Sequence, residues 1–181
     1  SSIIGLCDTF TPGVLGGGTA KAGELKLITT EREAITAFGA ESAITKACKA
    51  VYPKATAVIA AVRVPQLEAA PKLEDAALQT SAIIGGVMAS GQRTGLQALL
   101  DGKSLYNAQP RLLIAPGHTA TQAVATALDS LAQKLRAIGI LDGPGTTDEA
   151  AMLYADNFGS RNLFMVDTGV QYWDPAPSTP V

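Results

Sequence analysis

Histidine, tryptophan and cysteine are scarce in this chain of 181 residues, which contains one histidine, one tryptophan and two cysteines. His118 with Cys7 and Cys48, neither of which stands in a CxxC motif, provides too few soft ligands for a zinc site. We therefore expect no metal site. Because both cysteines lie in largely apolar stretches, we expect two buried, reduced thiols and no disulfide-stapled secreted domain.

An excess of either charge and long apolar runs are also lacking. The chain has 14 Lys and Arg against 16 Asp and Glu, a net charge of −2, which argues against binding nucleic acid or an anionic membrane through bulk charge. No uncharged apolar run is long enough to span a membrane. Asp8 interrupts the early apolar run that a signal peptide would need. A hydrophobic fraction of 47% instead indicates a globular domain with a core.

Six apolar runs have the length of β-strands and end in turn-forming residues. Most are continuous rather than alternating, as expected for strands that helices cover on both faces of a mainly parallel sheet. The runs are 3–7, 25–28, 57–62, 112–115, 138–141 and 163–166.

Helical patterns follow several of these runs. The hydroxyls of Thr30, Thr119 and Thr146, each with Glu or Gln three residues later, fit the capping box at a helix start. Apolar stripes then predict three helices, whose buried positions are Val124, Leu128, Leu131 and Leu135 in one, Ile44, Cys48 and Val51 in another, and Ala151, Ala155 and Phe158 in the third. Strand and helix units of this kind predict a three-layer α/β/α domain.

The segment 65–110 breaks the alternation. We predict that it is a connection packed on the sheet, helical over 73–88, with a turn at 90–91 and a short helix around 95–100. The glycine and proline content of two stretches, 11–23 and the chain end from 174, predicts that both are unstructured. The predicted organisation is therefore one α/β domain over 1–174 followed by a short linker, 175–181.

Polar residues at the strand ends are the candidates for chemistry, because open α/β sheets bind ligands beyond the carboxyl ends of their strands. His118, Asp142 and Asp167 each follow a predicted strand and could serve acid-base catalysis. Turn residues follow both aspartates, however, so turn formation explains them equally well. No serine stands in the G-x-S-x-G pattern of a nucleophile elbow. A hydrolase or nucleotide-binding enzyme at this edge remains the alternative function.

The glycine-rich loops give a weak case for nucleotide binding. The loop 16–21 lacks the spacing of a P-loop. The loop 143–148 has Asp148 where a dinucleotide fingerprint needs its third glycine, and Pro144 removes one N–H that an anion would need. We expect no cofactor.

Several strings, taken in order, resemble the contractile tail sheath proteins of bacteriophages and of related contractile bacteriocins. The resemblance covers most of the chain, beginning with 28–34 and 58–64. It continues through IIGGV at 83–87, RTGLQALLD at 93–101, QPRLLIAPG at 109–117, VATAL at 124–128, LDGP at 141–144, TTD at 146–148, NFGSR at 157–161 and MVD at 165–167.

The resemblance implies a mechanical rather than an enzymatic role. Sheath subunits of this family stack as rings around a tail tube, and their contraction drives the tube through the host envelope. The family's core domain is likened to subtilisin in fold but lacks a protease triad, so the resemblance implies no catalytic, cofactor or metal residues. It implies as partners other sheath subunits, joined by arms that add strands to a neighbour's sheet, and the tail tube protein. It also implies assembly in the bacterial cytoplasm and a final place in the virion.

The chain departs from the family pattern because the terminal arms are not evident in it. We therefore expect a fragment of a sheath subunit that, in isolation, is a soluble monomer.

Overall fold

A six-stranded sheet forms the middle of the fold in a computed structural model that describes residues 3–10, 18–65 and 73–167. The strand order is β2-β3-β1-β4-β5-β6, and every pairing is parallel except that of β2 with β3. The strands are β1 (Ile3–Phe10), β2 (Leu25–Ile28), β3 (Val58–Pro65), β4 (Leu112–Ile114), β5 (Ile138–Asp142) and β6 (Leu163–Val166). All six predicted strands are present, and the mainly parallel sheet is confirmed.

Helices lie between the strands along the described chain. Six α-helices are α1 (Glu31–Phe38), α2 (Ala43–Val51), α3 (Leu73–Ile84), α4 (Gly102–Tyr106), α5 (Gln122–Leu135) and α6 (Asp148–Ala155), and a 3-10 helix covers Gly95–Asp101.

Both faces of the central strands are buried, as continuous apolar strands require. Leu6 of β1 packs with the apolar residues of α1 and α2, including Phe38 and Ile44. Its neighbour Cys7 points to the other face and joins a cluster that contains Leu96 and Leu128, from the 3-10 helix and α5. Helices therefore cover the two faces of the sheet, which confirms the α/β/α arrangement.

The predicted apolar stripes identify the inner faces of α5 and α2. The third stripe is too long, because α6 ends at Ala155 and the half-buried Phe158 lies beyond it. Four residues of α5, Val124, Leu128, Leu131 and Leu135, are buried. In α2, Ile44 and Cys48 are buried, and the helix ends at Val51, before Pro53.

The helix caps agree with the sequence patterns only in part. Thr30 caps α1 and accepts from the N–H of Glu33 at 3.2 Å, but the Glu33 carboxylate accepts from the N–H of Thr29, one residue earlier than a standard capping box. The predicted cap at Thr146 is wrong by one residue, because Thr147 accepts from the N–H of Ala150 at 3.2 Å.

The connection between β3 and β4 packs on the sheet, as predicted, through Leu96 and Leu99, which are fully buried. Its first helix, α3, ends at Ile84 and not at Met88. The cause is a close crossing at Gly85 and Gly95, both of which have a positive φ. A Cβ on Gly95 would lie 2.4 Å from the carbonyl oxygen of Ile83, so only glycine fits there.

Two predicted unstructured stretches fall wholly or partly outside the described residues. Residues 18–23 contain no helix or strand, whereas 11–17 and 168–181 are not described. The predicted domain boundary at 174 and the linker 175–181 therefore stay predictions.

Candidate functional site

The carboxyl ends of five parallel strands form one edge of the sheet, and all three predicted polar residues lie along it. His118 is in the loop after β4, Asp142 is the last residue of β5, and Asp167 directly follows β6. The structure does not unite them in one constellation, because each has a different set of hydrogen-bonding partners.

Asp142 ties β5 to the loop that follows β4. Its Oδ2 accepts from the N–H of Gly117 at 2.8 Å and from the Oγ1 of Thr119 at 2.9 Å. The same Oγ1 accepts from the N–H of Asp142 at 2.7 Å. Thr119 is fully buried, so its hydroxyl is committed to this contact. The predicted cap at Thr119 is therefore wrong: α5 begins at Gln122, and Thr121 precedes it without a side-chain capping bond.

Tyr154 of α6 closes the other side of this contact. Its hydroxyl donates to the carbonyl oxygen of Thr119, and its ring meets that of Phe158 edge to face, with the centroids 5.2 Å apart. Burial raises the pKa of Tyr154, and the nearby Asp142 carboxylate raises it further. The tyrosine therefore stays protonated and acts as a donor that positions the Thr119 loop.

His118 pairs with a carboxylate that the sequence reasoning missed. Its Nε2 lies 3.4 Å from Oδ1 of Asp8, which is in β1 and only 5% exposed. Oδ1 also accepts from the N–H of Thr9 at 2.7 Å. The carboxylate of Asp8 within an apolar strand could have indicated a polar site, but the sequence does not show its partner, which is 110 residues away. The imidazole is a partly exposed side chain of the loop, and the Asp8 carboxylate orients its ring.

Asp167 serves the loop between β5 and α6. Its Oδ1 accepts from the N–H of Gly145 at 2.9 Å, and a Cβ on Gly143 would lie 2.2 Å from the same oxygen. The loop that partly resembles a dinucleotide fingerprint thus binds a carboxylate of its own chain. Asp167 therefore has a structural partner in this loop, whereas the turn predicted directly after it lies outside the described residues.

The two cysteines are free and buried, as predicted. Burial raises the pKa of Cys48 to about 11 and raises that of Cys7 further, and the Asp8 carboxylate contributes at Cys7. Among residues 3–10, 18–65 and 73–167, no cluster of three or more His, Cys, Asp or Glu side chains could hold a metal ion.

The opposite, amino edge of the sheet carries an open groove of about 900 Å³ between the end of α5 and the start of β6. Its lining is mostly polar and includes two arginines: Gln133, Arg136, Ala137, Ile138, Gly159, Ser160, Arg161 and Asn162. The sequence patterns did not predict this groove.

An apolar strip of the sheet near this groove lacks a covering helix in the described part of the chain. Ile138 is 47% exposed and Phe164 62% exposed. The register of their strands with β4 and β5 places both side chains on one face of the sheet. At β1, β2 and β3, the same face is covered by α1 and α2. Exposed apolar side chains on a sheet face indicate an interaction surface.

Comparison with known proteins gives the family. The family model for the phage tail sheath protein central domain matches residues 91–179. A prophage major tail sheath protein of Pseudomonas aeruginosa (strain UCBPP-PA14) is 62% identical over 176 residues, which are 97% of this chain and 44% of the relative. The chain belongs to the phage tail sheath protein family. The resemblance found in the sequence is thereby confirmed.

Two phage relatives extend the comparison. The tail sheath protein of Escherichia phage P2 is 33% identical to this sheath chain over 84% of the chain and 39% of the relative. The major tail sheath protein of Serratia phage KSP20 is 33% identical over 77% of the chain and 35% of the relative. The chain therefore spans less than half the length of these curated relatives. In the described part of this sheath chain, no helix is both long and apolar enough to cross a membrane.

Proposed function

We propose that this chain is the core part of a structural subunit of a contractile phage tail sheath. The subunit polymerises around the tail tube, and contraction of the polymer drives the tube through the host envelope. The observation that carries the proposal is the 62% identity, over 97% of the chain, to a prophage major tail sheath protein. The subunit assembles in the bacterial cytoplasm and its final location is the tail of the virion.

The free edge of the sheet supports polymerisation. Among the described strands, β6 pairs only with β5, so the outer backbone groups of β6 can accept a further strand. Phe164, exposed on that strand, provides an apolar side chain beside the edge. Strand addition by an arm of a neighbouring subunit would use both features. The partners are then other sheath subunits and the tail tube protein.

The rigidity of the core supports contraction by redocking. The middle residues of β1 and β3 are buried, and a close-packed interior deforms little, so a subunit of this kind moves as a body while its contacts with neighbours change. The energy for contraction then lies in the difference between two sets of subunit contacts and requires no ATP.

We propose further that the chain is not an enzyme and that it has no catalytic, cofactor or metal residues. This part of the proposal is supported by the use of the strand-end carboxylates inside the fold: Asp142 is engaged by Gly117 and Thr119, and Asp167 by Gly145. His118 with Asp8 is a pair at this edge that could still carry acid-base chemistry, and it is tested separately below.

Electron microscopy of the full-length protein that contains this sequence tests the structural role. We expect hollow, striated cylinders from the wild-type protein. Phe164→Lys should reduce their number or length, whereas Leu78→Lys, at a side chain 57% exposed on α3, should not. A full-length protein that stays monomeric at all concentrations and salt conditions would contradict the proposal.

The enzymatic alternative is tested separately at His118. Replacement of this residue by glutamine in the phage or prophage should leave tail assembly and infection unchanged, because the glutamine amide can still donate a hydrogen bond toward Asp8. Loss of infectivity from tails that assemble normally would favour chemistry at this edge.

A further inference from the structure

The basic residues of the β4-β5-β6 half of the sheet all lie at one edge. Between residues 111 and 167 the sequence has four of them, Arg111, Lys134, Arg136 and Arg161. All four are exposed and lie where β4, β5 and β6 begin or where α5 ends. This edge therefore concentrates positive charge beside the groove described above.

The two arginines of the groove are free of ion pairs with the described residues and can bind an acidic group of a partner. Among the described residues, neither Arg136 nor Arg161 takes part in an ion pair. Arg111 stays close because its guanidinium donates to the carbonyl oxygens of Leu135 and Arg136, at 3.4 and 3.2 Å. The nearest carboxylate on α5, Asp129, is engaged by hydrogen bonds from Gln133 and from Ser160.

The carboxyl edge of the same half is acidic. Four of the six Asp and Glu residues between 111 and 167 lie there: Asp142, Asp148, Glu149 and Asp167. Asp148 and Glu149 are exposed at the start of α6 and take part in no ion pair in the described part of the chain. The two remaining acidic residues are Asp129 on α5 and Asp156 after α6. Charge is thus divided along the strand axis, positive at the amino edge and negative at the carboxyl edge.

We propose that the groove at Arg136 and Arg161 binds the acidic carboxyl edge, at Asp148 and Glu149, of a second copy of this chain. Such a head-to-tail contact uses two different surfaces of one molecule, so it can repeat from copy to copy without closing, as a stack requires. Complementary charge sets the register and orientation of the contact. A chain with a net charge of only −2 adds little overall repulsion. The inference rests on the proposed sheath function and names the contact by which copies of the subunit meet.

Charge reversal in the full-length protein tests the contact, with assembly followed by sedimentation velocity. Arg136→Glu with Arg161→Glu, and separately Asp148→Lys with Glu149→Lys, should each raise the concentration needed for assembly roughly tenfold. The variant carrying all four changes should assemble within roughly threefold of wild type, because the attraction is restored with its sign reversed. Added salt should weaken assembly of the wild type and of the variant with all four changes alike.

A matched control separates this contact from a general charge effect. Arg32→Glu with Lys54→Glu changes the net charge by the same amount and in the same direction as the groove variant. Both positions are exposed and lie on the β2-β3 half, so this control should leave assembly unchanged. Unchanged thermal unfolding of each variant establishes that it is folded.

The inference is overturned if reversing the charge of the groove leaves assembly as in wild type, or if the variant carrying all four changes fails to recover assembly. In either case cylinders formed by the wild-type protein would still support the sheath function. A wild-type protein that forms no assembly would instead remove the proposed function on which the inference rests.

Discussion

Thr119 and Asp142 exchange two hydrogen bonds, one in each direction, through a single buried hydroxyl. The N–H of Asp142 donates to the hydroxyl, and the hydroxyl donates to the carboxylate. The end of β5 is thereby fixed to the loop before α5. A side chain with the pattern of a helix cap is thus used to join two neighbouring strand ends.

Removal of this hydroxyl should destabilise the fold. Thr119→Val keeps the shape but leaves the N–H and one carboxylate oxygen of Asp142 with fewer partners, at a cost of about 1–3 kcal/mol in the free energy of unfolding. Thr121→Val is the matched control: Thr121 is exposed and makes no capping bond, so the change should stay within about 0.5 kcal/mol. Urea unfolding measures both. Equal effects would contradict the role given to Thr119.

The crossing of α3 with the 3-10 helix should not tolerate a Cβ. Gly95→Ala places a methyl group 2.4 Å from the carbonyl oxygen of Ile83 and forces alanine to a positive φ, so we expect a loss of at least about 2 kcal/mol. Gly86→Ala has nothing within 4 Å of its Cβ and should change stability much less. Thermal unfolding compares the two, and similar melting temperatures would count against this crossing.

The core on the α5 face should respond strongly to truncation. Leu128 is fully buried, so Leu128→Ala should cost about 2–5 kcal/mol through lost burial and the cavity that remains. Leu153 is 72% exposed on α6, and Leu153→Ala should stay within about 0.5 kcal/mol. Denaturant midpoints with equal slopes would verify the difference, and a cost at Leu128 no larger than at Leu153 would refute it.

The two thiols should be protected in the folded chain. Both cysteines are buried, and burial raises the pKa of Cys48 to about 11, so little thiolate forms near pH 8. Ellman's reagent should therefore react slowly with the native chain and rapidly with two thiols in concentrated guanidinium chloride. Cys48→Ala should reduce the unfolded count to one. Rapid labelling in native buffer would show that the assigned burial is wrong.

Alkaline pH should weaken the fold partly through Tyr154. Its pKa is raised in the folded chain, so above about pH 10 the unfolded chain loses this proton first and the free energy of unfolding falls as pH rises. Tyr154→Phe should be about 1 kcal/mol less stable than wild type at pH 7, because the bond to the Thr119 carbonyl oxygen is lost. That difference should shrink between pH 10 and 11 in urea titrations. A constant difference would mean that Tyr154 does not titrate as assigned.

The layers of the fold could be predicted from short-range patterns. Continuous runs such as 112–115 match β4 to within one residue, and the stripe on α5 identifies its buried face. Periodicity carries this information because a strand or helix exposes its faces at fixed intervals. The antiparallel direction of β2 could not be read, since a run of four residues carries no direction.

The contacts at the sheet edge were less accessible from sequence. His118 finds Asp8 across 110 residues, and Thr119 finds Asp142 rather than the start of α5. A threonine followed by glutamine three residues later has the same letters whether it caps a helix or bonds a distant strand. Likewise, the end of α3 is set by a meeting of Gly85 with Gly95, which depends on the tertiary path of the chain.

The central place of β1 constrains the order in which the protein can acquire its structure. Among the described strands, β1 comes first along the chain, and it lies between β3 and β4: Ile4 is in register with Ile59 on one side and with Leu112 on the other. A nascent chain must therefore keep this apolar strand unpaired on one side until residues near 112 have been synthesised. Closing such long loops is slow, so the nascent chain is most exposed to chaperones and to non-native contacts during that interval.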